Sequence, residues 1–343
     1  MASVVMADAS IPFDGRMAES DPLGGAETAF VALAEALAAR GHRVEARTLC
    51  KAPVRHKEVS WAPLAAGVPE ACDLYIGNRG HRMIGLVAHP RRRVFWLHNP
   101  ARYLRKPRFA WRIAWYRPNI VTTGAYHAST VPPWLIGGKR TVIPYGIVDA
   151  FRHASTREPP PPRAIFTSNP MRGLDWLLDL WVARIKPAVP AAELDIYAGA
   201  AVYGGGAAKH EAAMSAILAR AEALEHAGVH RHEPVGRQKL IEMLTGARAM
   251  LYRGDPGETF CLALGEAQAL GVPAVVTPLG SVGERVADGR SGRVAATDDN
   301  FVAAAIDVLS DDAVWRQWHA GALATQRGLS WDEVAARYEA LIP

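Results

Sequence analysis

The chain reads as an α/β protein of two domains, and three observations carry that expectation. Short apolar runs of strand length alternate with amphipathic helical stretches through both halves, the pattern of a parallel sheet covered by helices. Four consecutive prolines, Pro159–Pro162, interrupt the alternation near the middle, and such a run is extended and semi-rigid, as a connector should be. At 343 residues the chain also exceeds one ordinary core.

The first half begins with the apolar strand Ser3–Ala7 and a polar loop ending in Asp21-Pro22-Leu23-Gly24-Gly25-Ala26-Glu27. A helix follows with Phe30, Leu33, Leu37 and Ala38 on one side, and it stops at Arg40-Gly41-His42, where Gly41 suits the residue after a helix end. Val44–Leu49 is the next strand. Paired glycines at the helix start let a ligand approach the backbone, although a tight turn alone would use them too. Asp73–Ile76 and Arg93–Leu97 are further buried strands, the second delivering His98 at its C-terminal end, where open α/β sheets bind ligands. Val121–Thr123 and Arg140–Pro144 complete the half.

The second half repeats the scheme. Ala164–Thr167 is a strand, a turn Ser168–Gly173 leads into a helix with Leu174, Leu177, Leu178 and Trp181, and Glu193–Tyr197 is the next strand. A helix over 209–227, a strand over 229–235, a helix over Lys239–Ala249 and a strand Met250–Tyr252 follow. The stretch Gly254–Val272 comes next, with Glu258 in the loop at a helix mouth and Glu266 within the first turns, then the strand Ala274–Thr277. A helix start of this kind attracts an anion, and two carboxylates beside it can accept hydroxyl hydrogen bonds. For two glutamates alone, a helix cap at Glu258 and a solvated helical charge at Glu266 are the better account; the rest of the chain has to overturn it.

Half of the residues are hydrophobic and 21% charged, a globular composition. Cys50, Cys72 and Cys261 are scattered without metal-ligand spacing and read as reduced thiols. The N-terminus lacks the pattern of a signal peptide and no apolar run reaches membrane-helix length, so a cytosolic protein is expected. The net charge of +5 is unevenly spread: Leu74–Val148 holds no Asp or Glu but 13 of the 39 Lys and Arg, leaving the rest net acidic. Within it, residues 102–117 interleave six basic residues with five aromatics. Read as a helix opened at Pro107 and closed at Pro118, they put Arg105, Arg108 and Arg112 on one side and Leu104, Trp111 and Trp115 on another. That face suits anionic membrane, nucleic acid or an anionic substrate; the plain alternative is a surface helix with its aromatics packed inward.

Taken in order, GGAETAFVALAEALAARGHRV, VIPYGIV, NPMRGLDWLL, AELDIYAGA, GETFCLALGEAQALGVPAVVTPLGSVGERVADGRSG and SWDEVAARYEALI resemble the retaining, nucleotide-sugar-dependent glycosyltransferases of the GT-B fold, family 4, the group 1 glycosyltransferases. The resemblance covers nearly the whole chain. It implies two Rossmann-like domains facing a central cleft: an acceptor-side domain over 1–150 and a nucleotide-sugar-binding domain over 151–327. The helix begun by Trp331, within 328–343, would cross back to the first domain.

Position by position, the resemblance puts Gly24 and Gly25 near the donor phosphates and His98 near the donor sugar. It makes Arg172, with Ser168 nearby, the phosphate clamp, and has Glu258 hold sugar hydroxyls. Phe260, Cys261 and Leu262 would meet sugar and diphosphate through their backbone, and Glu266 the ribose. Catalysis would rest on His98, Arg172 and Glu258 without a metal, by front-face attack with the leaving phosphate taking the acceptor's proton. The expected donor is a UDP- or GDP-linked hexose and the acceptor a glycan or lipid-linked glycan of cell-surface polysaccharide or lipopolysaccharide synthesis. Arg105, Arg108, Trp111, Arg112 and Trp115 would form a membrane or acceptor surface at the inner face of the membrane.

Three positions depart from the family pattern. Thr167 or Ser168 stands where a second basic residue is usual, leaving Arg253 or another cation to complete the clamp. Tyr145 replaces asparagine with little consequence, whereas Arg253-Gly254-Asp255-Pro256 replaces a Pro-Ser start, so donor preference does not transfer. A sugar-nucleotide epimerase or a phosphorylase on the same scaffold is the nearest alternative. Nucleic-acid binding by 74–148 leaves the glutamates without a task. A NAD-dependent dehydrogenase is disfavoured because no G-x-G-x-x-G follows the first strand.

Overall fold

The computed structural model describes residues 1–17, 23–199 and 211–343. The chain forms two compact units, Met1–Gly146 with Leu329–Pro343, and Ile147–Gly328.

In the first unit, β1 (Ser3–Ala7), β2 (Arg43–Thr48), β3 (Val54–His56), β4 (Val59–Pro63), β5 (Ala71–Asn78), β6 (His89–Trp96), β7 (Asn119–Thr122) and β8 (Arg140–Val142) form one sheet in the order β3-β4-β2-β1-β5-β6-β7-β8. Every pairing is parallel except β3 with β4. That hairpin has no clean alternation to announce it. It turns on Lys57 and Glu58, both left-handed.

Helix α1 (Gly25–Ala39) buries Phe30, Leu33, Leu37 and Ala38 as its period requires, and Gly41 takes the left-handed conformation after it. Helix α2 (Pro107–Tyr116) buries only Phe109 and Ile113. They share a core with Phe95, Leu97, Leu104, Ile120 and Leu135. Here the structure corrects the helical face read from 102–117. Lys106, ahead of a proline, is held extended, so Leu104 and Arg105 belong to a separate 3-10 turn, Ala101–Arg105. Leu104 is buried, whereas the indoles of Trp111 and Trp115 point outward and are 52% and 76% exposed.

The terminal helix, Trp331–Glu339, completes this unit. Ser330 and Glu333 form a reciprocal capping box, and Trp331, Val334, Ala335 and Tyr338 are buried.

In the second unit, β9 (Arg163–Phe166), β10 (Glu193–Tyr197), β11 (Val229–His232), β12 (Ala249–Tyr252), β13 (Ala274–Val276) and β14 (Gly292–Val294) pair in the order β11-β10-β9-β12-β13-β14, all parallel. After α3 (Ala125–Ser129) of the first unit, the longer helices of the second among the described residues are α4 (Leu174–Leu180), α5 (Glu211–Ala223), α6 (Arg237–Gly246), α7 (Leu262–Ala269), α8 (Asp298–Ser310) and α9 (Asp312–Thr325). α4 runs on through a π-helical turn at Trp181–Ile185, which the apolar spacing does not announce. The expected helix over 209–227 appears as α5, followed by a 3-10 turn at Glu225–Ala227; its residues 209 and 210 lie outside the described residues. The helix expected over Lys239–Ala249 begins and ends earlier, as α6, so Ala249 opens β12.

Candidate functional site

Within the second unit, the carboxyl ends of β9 and β12 and the start of α7 converge on Glu258. The loop after β12 tightens where Asp255 accepts the Gly257 N–H at 2.6 Å and its carbonyl accepts the Glu258 N–H at 2.9 Å. That geometry turns the Glu258 side chain inward until it is 5% exposed. Its Oε1 accepts hydrogen bonds from the Arg172 guanidinium and, at 2.5 Å, from the Tyr252 hydroxyl. Oε2 takes no hydrogen bond from any described residue. A buried carboxylate anchored through one oxygen leaves the other directed to hydroxyl donors. Ser168, 3.1 Å from the Tyr252 hydroxyl, joins the same cluster.

Glu258 is not a helix cap. Cys261 holds the cap position of α7 without a side-chain hydrogen bond, in a left-handed conformation (φ 61°) that a non-glycine residue adopts at a cost of roughly 1–3 kcal/mol. Phe260 and Cys261 are buried and Leu262 half-buried. The Arg285 guanidinium lies 4.4 Å from the Phe260 ring centre. Burial pushes the Cys261 thiol up, with the Glu258 charge adding to it, so it stays protonated.

Glu266, on the second turn of α7, is half-buried, and no described side chain bonds its carboxylate. Desolvation raises it to about 7, against the opposing charge of Arg237. It is therefore not a solvated helical charge.

The first unit carries a second cluster, on the carboxyl ends of β1, β5 and β6. Asp8, Arg79 and His98 follow these strands directly or nearly so, and Asn78 is the last residue of β5. Arg79, left-handed at φ 54°, donates to Asp8 at 2.9 Å and to Glu27, in the first turn of α1, at 2.7 Å. The Asn78 amide donates to Asp8 at 2.5 Å, so its oxygen faces His98. His98 then donates from Nε2 to Asn78, and its Nδ1 accepts from the Tyr145 hydroxyl. Burial, with the charge of Arg79, holds His98 well below the usual imidazole range, so the ring is neutral at pH 7. Gly24 caps α1 and Gly25 is its first residue; Asp21 and Pro22 lie outside the described residues.

The structure thus brings Ser168, Arg172, Glu258 and Tyr252 together, with Phe260, Cys261, Leu262 and Glu266 on the adjoining helix start. It brings His98 to the cluster that contains Glu27, two residues beyond Gly25. Sequence reasoning missed Asp8, Asn78, Arg79 and Tyr252. A polar residue at the end of a buried apolar strand was the available signal, and it was read only for His98. Arg105, Arg108, Trp111, Arg112 and Trp115 belong to α2 and the turn before it, and none of them bonds a residue of the His98 cluster among the described residues. Arg112 lies 4.7 Å from the Trp111 ring centre. Nearby, a cavity of about 320 Å³ is lined by Arg102, Arg105, Thr130 and Trp134 among others.

Residues 161–311 match the family described as Glycosyl transferases group 1. Two D-inositol 3-phosphate glycosyltransferases, from Nocardioides sp. and Xylanimonas cellulosilytica, are 34% and 33% identical over 104 and 107 residues. These matches cover 30% and 31% of this chain but only 22% and 25% of those relatives. Among solved structures, sucrose-phosphate synthase from Thermosynechococcus elongatus superposes with a TM-score of 0.75 at 14% identity, covering 99% of this chain and 98% of that one. Anabaena HepE in complex with UDP-glucose gives 0.71 at 14% identity and 99% of each chain. WaaG, a glycosyltransferase involved in lipopolysaccharide biosynthesis, gives 0.63, again at 14% and 99% of each. At such identities these neighbours establish the fold, which is GT-B.

Proposed function

We propose, for a chain whose residues 161–311 match the group 1 glycosyl transferases, that the protein is a retaining glycosyltransferase. It moves a hexose from a UDP- or GDP-sugar to a glycan or lipid-linked acceptor of cell-surface polysaccharide or lipopolysaccharide synthesis. The observation that carries this reading is Glu258, a buried carboxylate tied by one oxygen to Arg172 and Tyr252 with its other oxygen left to a ligand. The UDP-glucose complex of the HepE neighbour supports a nucleotide-sugar donor.

In this reading the bond from the anomeric carbon to the diphosphate oxygen breaks and its electrons pass to the diphosphate. Arg172 and the backbone N–H groups at the start of α7 stabilise that charge, and the scheme uses no metal. Glu258 Oε2 accepts hydrogen bonds from sugar hydroxyls and favours the positive charge growing on the ring. The acceptor oxygen bonds the anomeric carbon on the face the diphosphate leaves, and its proton goes to the departing phosphate oxygen. His98 moves no proton in this scheme, because both ring nitrogens are engaged; it is a positioning residue. The first unit receives the acceptor, and the outer face of α2 holds the protein peripherally at the inner face of a membrane.

The test is a panel of UDP-, GDP- and ADP-sugars, read as nucleoside diphosphate release with and without glycan acceptors, in EDTA. Release from one donor, and product of unchanged anomeric configuration by NMR, is expected. Failure to bind or cleave any of them overturns the reading. Acceptor-free conversion of donor to an epimer, or consumption of free phosphate, assigns the scaffold to the alternatives instead.

A further inference from the structure

The site proposed for the donor is short of positive charge. Arg172 is the cation beside Glu258, and the ion pair between them is neutral as a whole. Neither Thr167 nor Ser168 supplies another charge. A nucleoside diphosphate carries more than one negative charge at neutral pH, so a site held by Arg172 alone leaves part of it uncompensated.

The structure lays another arginine side chain, from a different strand, across the residue next to Arg172. Arg253 follows β12 directly, and its stem lies across Gly173, the residue after Arg172. A Cβ at Gly173 would come within 2.6 Å of the Arg253 Cβ and 2.7 Å of its Cδ. Position 173 also has φ +89°, so both the conformation and the crossing side chain require glycine there. Beyond the crossing, the Arg253 guanidinium sits 5.4 Å from the ring centre of Trp176 on α4. That contact restrains the head without consuming its donors. Trp176 is itself fixed by a 3.1 Å hydrogen bond to Asp298 and by edge contact with Phe301. Among the described residues the Arg253 head meets no carboxylate and no hydrogen-bond acceptor, and the side chain is exposed. Arg285, on the 3-10 turn Val282–Arg285, is differently placed: it lies against Phe260 and faces Glu284 at 3.8 Å.

We infer that Arg253 is a diphosphate-binding residue, supplying from the end of β12 the second guanidinium that Thr167 and Ser168 do not. This rests on the donor site proposed above and deepens it, by assigning its charge to Arg172 and Arg253 together. The residue binds the distal phosphate charge, so it discriminates diphosphates from monophosphates.

Calorimetric titration of the full chain with UDP, UMP, GDP and GMP tests the assignment. Wild type should prefer the diphosphate of whichever base it binds. Arg253→Met, which keeps the packing over Gly173 but removes the charge, should weaken diphosphate binding roughly tenfold or more and leave monophosphate binding nearly unchanged. Arg253→Lys should fall between the two, and serves if the methionine variant melts early. Unchanged diphosphate preference in Arg253→Met overturns the inference and leaves the glycosyltransferase reading standing. Loss of the preference in Arg285→Met but not in Arg253→Met overturns it too. If wild type binds no nucleoside diphosphate, both the inference and the reading beneath it fall.

Discussion

Glu258 and Glu266 look alike in sequence, and their surroundings separate them. Glu258 is held in a fixed pair with Arg172 and takes a bond from Tyr252, whereas burial lifts Glu266 to about 7 with no side-chain donor to offset it. A ribose diol donating two hydrogen bonds would favour the charged form of Glu266 and draw its pKa down. Nucleoside diphosphate affinity should therefore rise severalfold between pH 6 and pH 8. Glu266→Gln should bind more weakly and lose that part of the dependence, while keeping whatever the phosphate's own titration contributes. The sign for stability is opposite. Because the folded pKa lies above the ordinary 4.5, the unliganded fold binds an extra proton between those values. This group's stabilisation is complete below about 4.5 and is lost as pH rises through about 7, so the melting point of wild type should fall relative to Glu266→Gln over that span. Melting curves from pH 4.5 to 8 on both proteins check it; parallel curves would mean the carboxyl is ordinary. Glu258→Ala, by contrast, should reduce turnover by a factor on the order of 10²–10³ with less effect on diphosphate affinity. The two glutamates were legible as candidates from an eight-residue spacing and a glycine-rich loop. The partners that divide their tasks come from 86, 6 and 29 positions away and leave no local trace.

At the scale of elements, local chemistry marked the boundaries wherever it acted alone. The α1 stop at Gly41, the Pro107 start of α2 and the Glu193–Tyr197 strand follow from conformation and period. Long-range pairing decided the rest. β6 begins at His89, four residues before its apolar run, because its basic residues still pair with β5. The β3–β4 hairpin and the π-helical turn after α4 depend on neighbours rather than on their own period. The terminal helix is the clearest local signal, because Ser330-Trp331-Asp332-Glu333 carries the S-x-x-E pattern and the structure forms both reciprocal bonds. Its exposed ion pairs, Arg40 with Asp332 and Glu339, contribute little. The cap and the buried face of Trp331, Val334, Ala335 and Tyr338 hold it. Tyr338 packs edge-on to Trp96, and Trp331 stacks on Tyr145, the residue that bonds His98. Ser330→Ala should thus cost about 1 kcal/mol, seen as a fall of roughly 2–4 °C in melting temperature. Ser330→Thr should recover most of it. If alanine melts with wild type, the helix is held by packing alone.

At the scale of the whole molecule, charge is sorted by region. The segment Leu74–Val148 concentrates a third of the basic residues and excludes acids, and in it the structure exposes Trp111, Trp115, Trp134 and Ile136, the last two by 56% and 73%. The inward-packed arrangement of aromatics is overturned for both α2 indoles: Phe109 and Ile113 fill the core, as does Leu135 between Trp134 and Ile136. No helix among the described residues is long and apolar enough to cross a membrane. Exposed indoles beside arginines that meet no carboxylate among the described residues suit an interface whose headgroups are anionic and whose acyl boundary accepts rings. Each basic residue near such a surface contributes about 1 kcal/mol. Flotation on vesicles with and without phosphatidylglycerol separates the two contributions. Replacing Arg105, Arg108 and Arg112 with Ala should reduce binding to anionic vesicles by roughly two orders of magnitude at low salt and leave the residual binding to neutral vesicles unchanged. Replacing Trp111 and Trp115 with Ala should reduce binding to both. Raising salt from about 0.1 M to 1 M, where the screening length shrinks to about 3 Å, should reproduce the arginine effect in wild type. Equal partitioning of wild type onto neutral and anionic vesicles would remove the electrostatic part of this surface's role and leave the indoles as a site for an uncharged apolar partner.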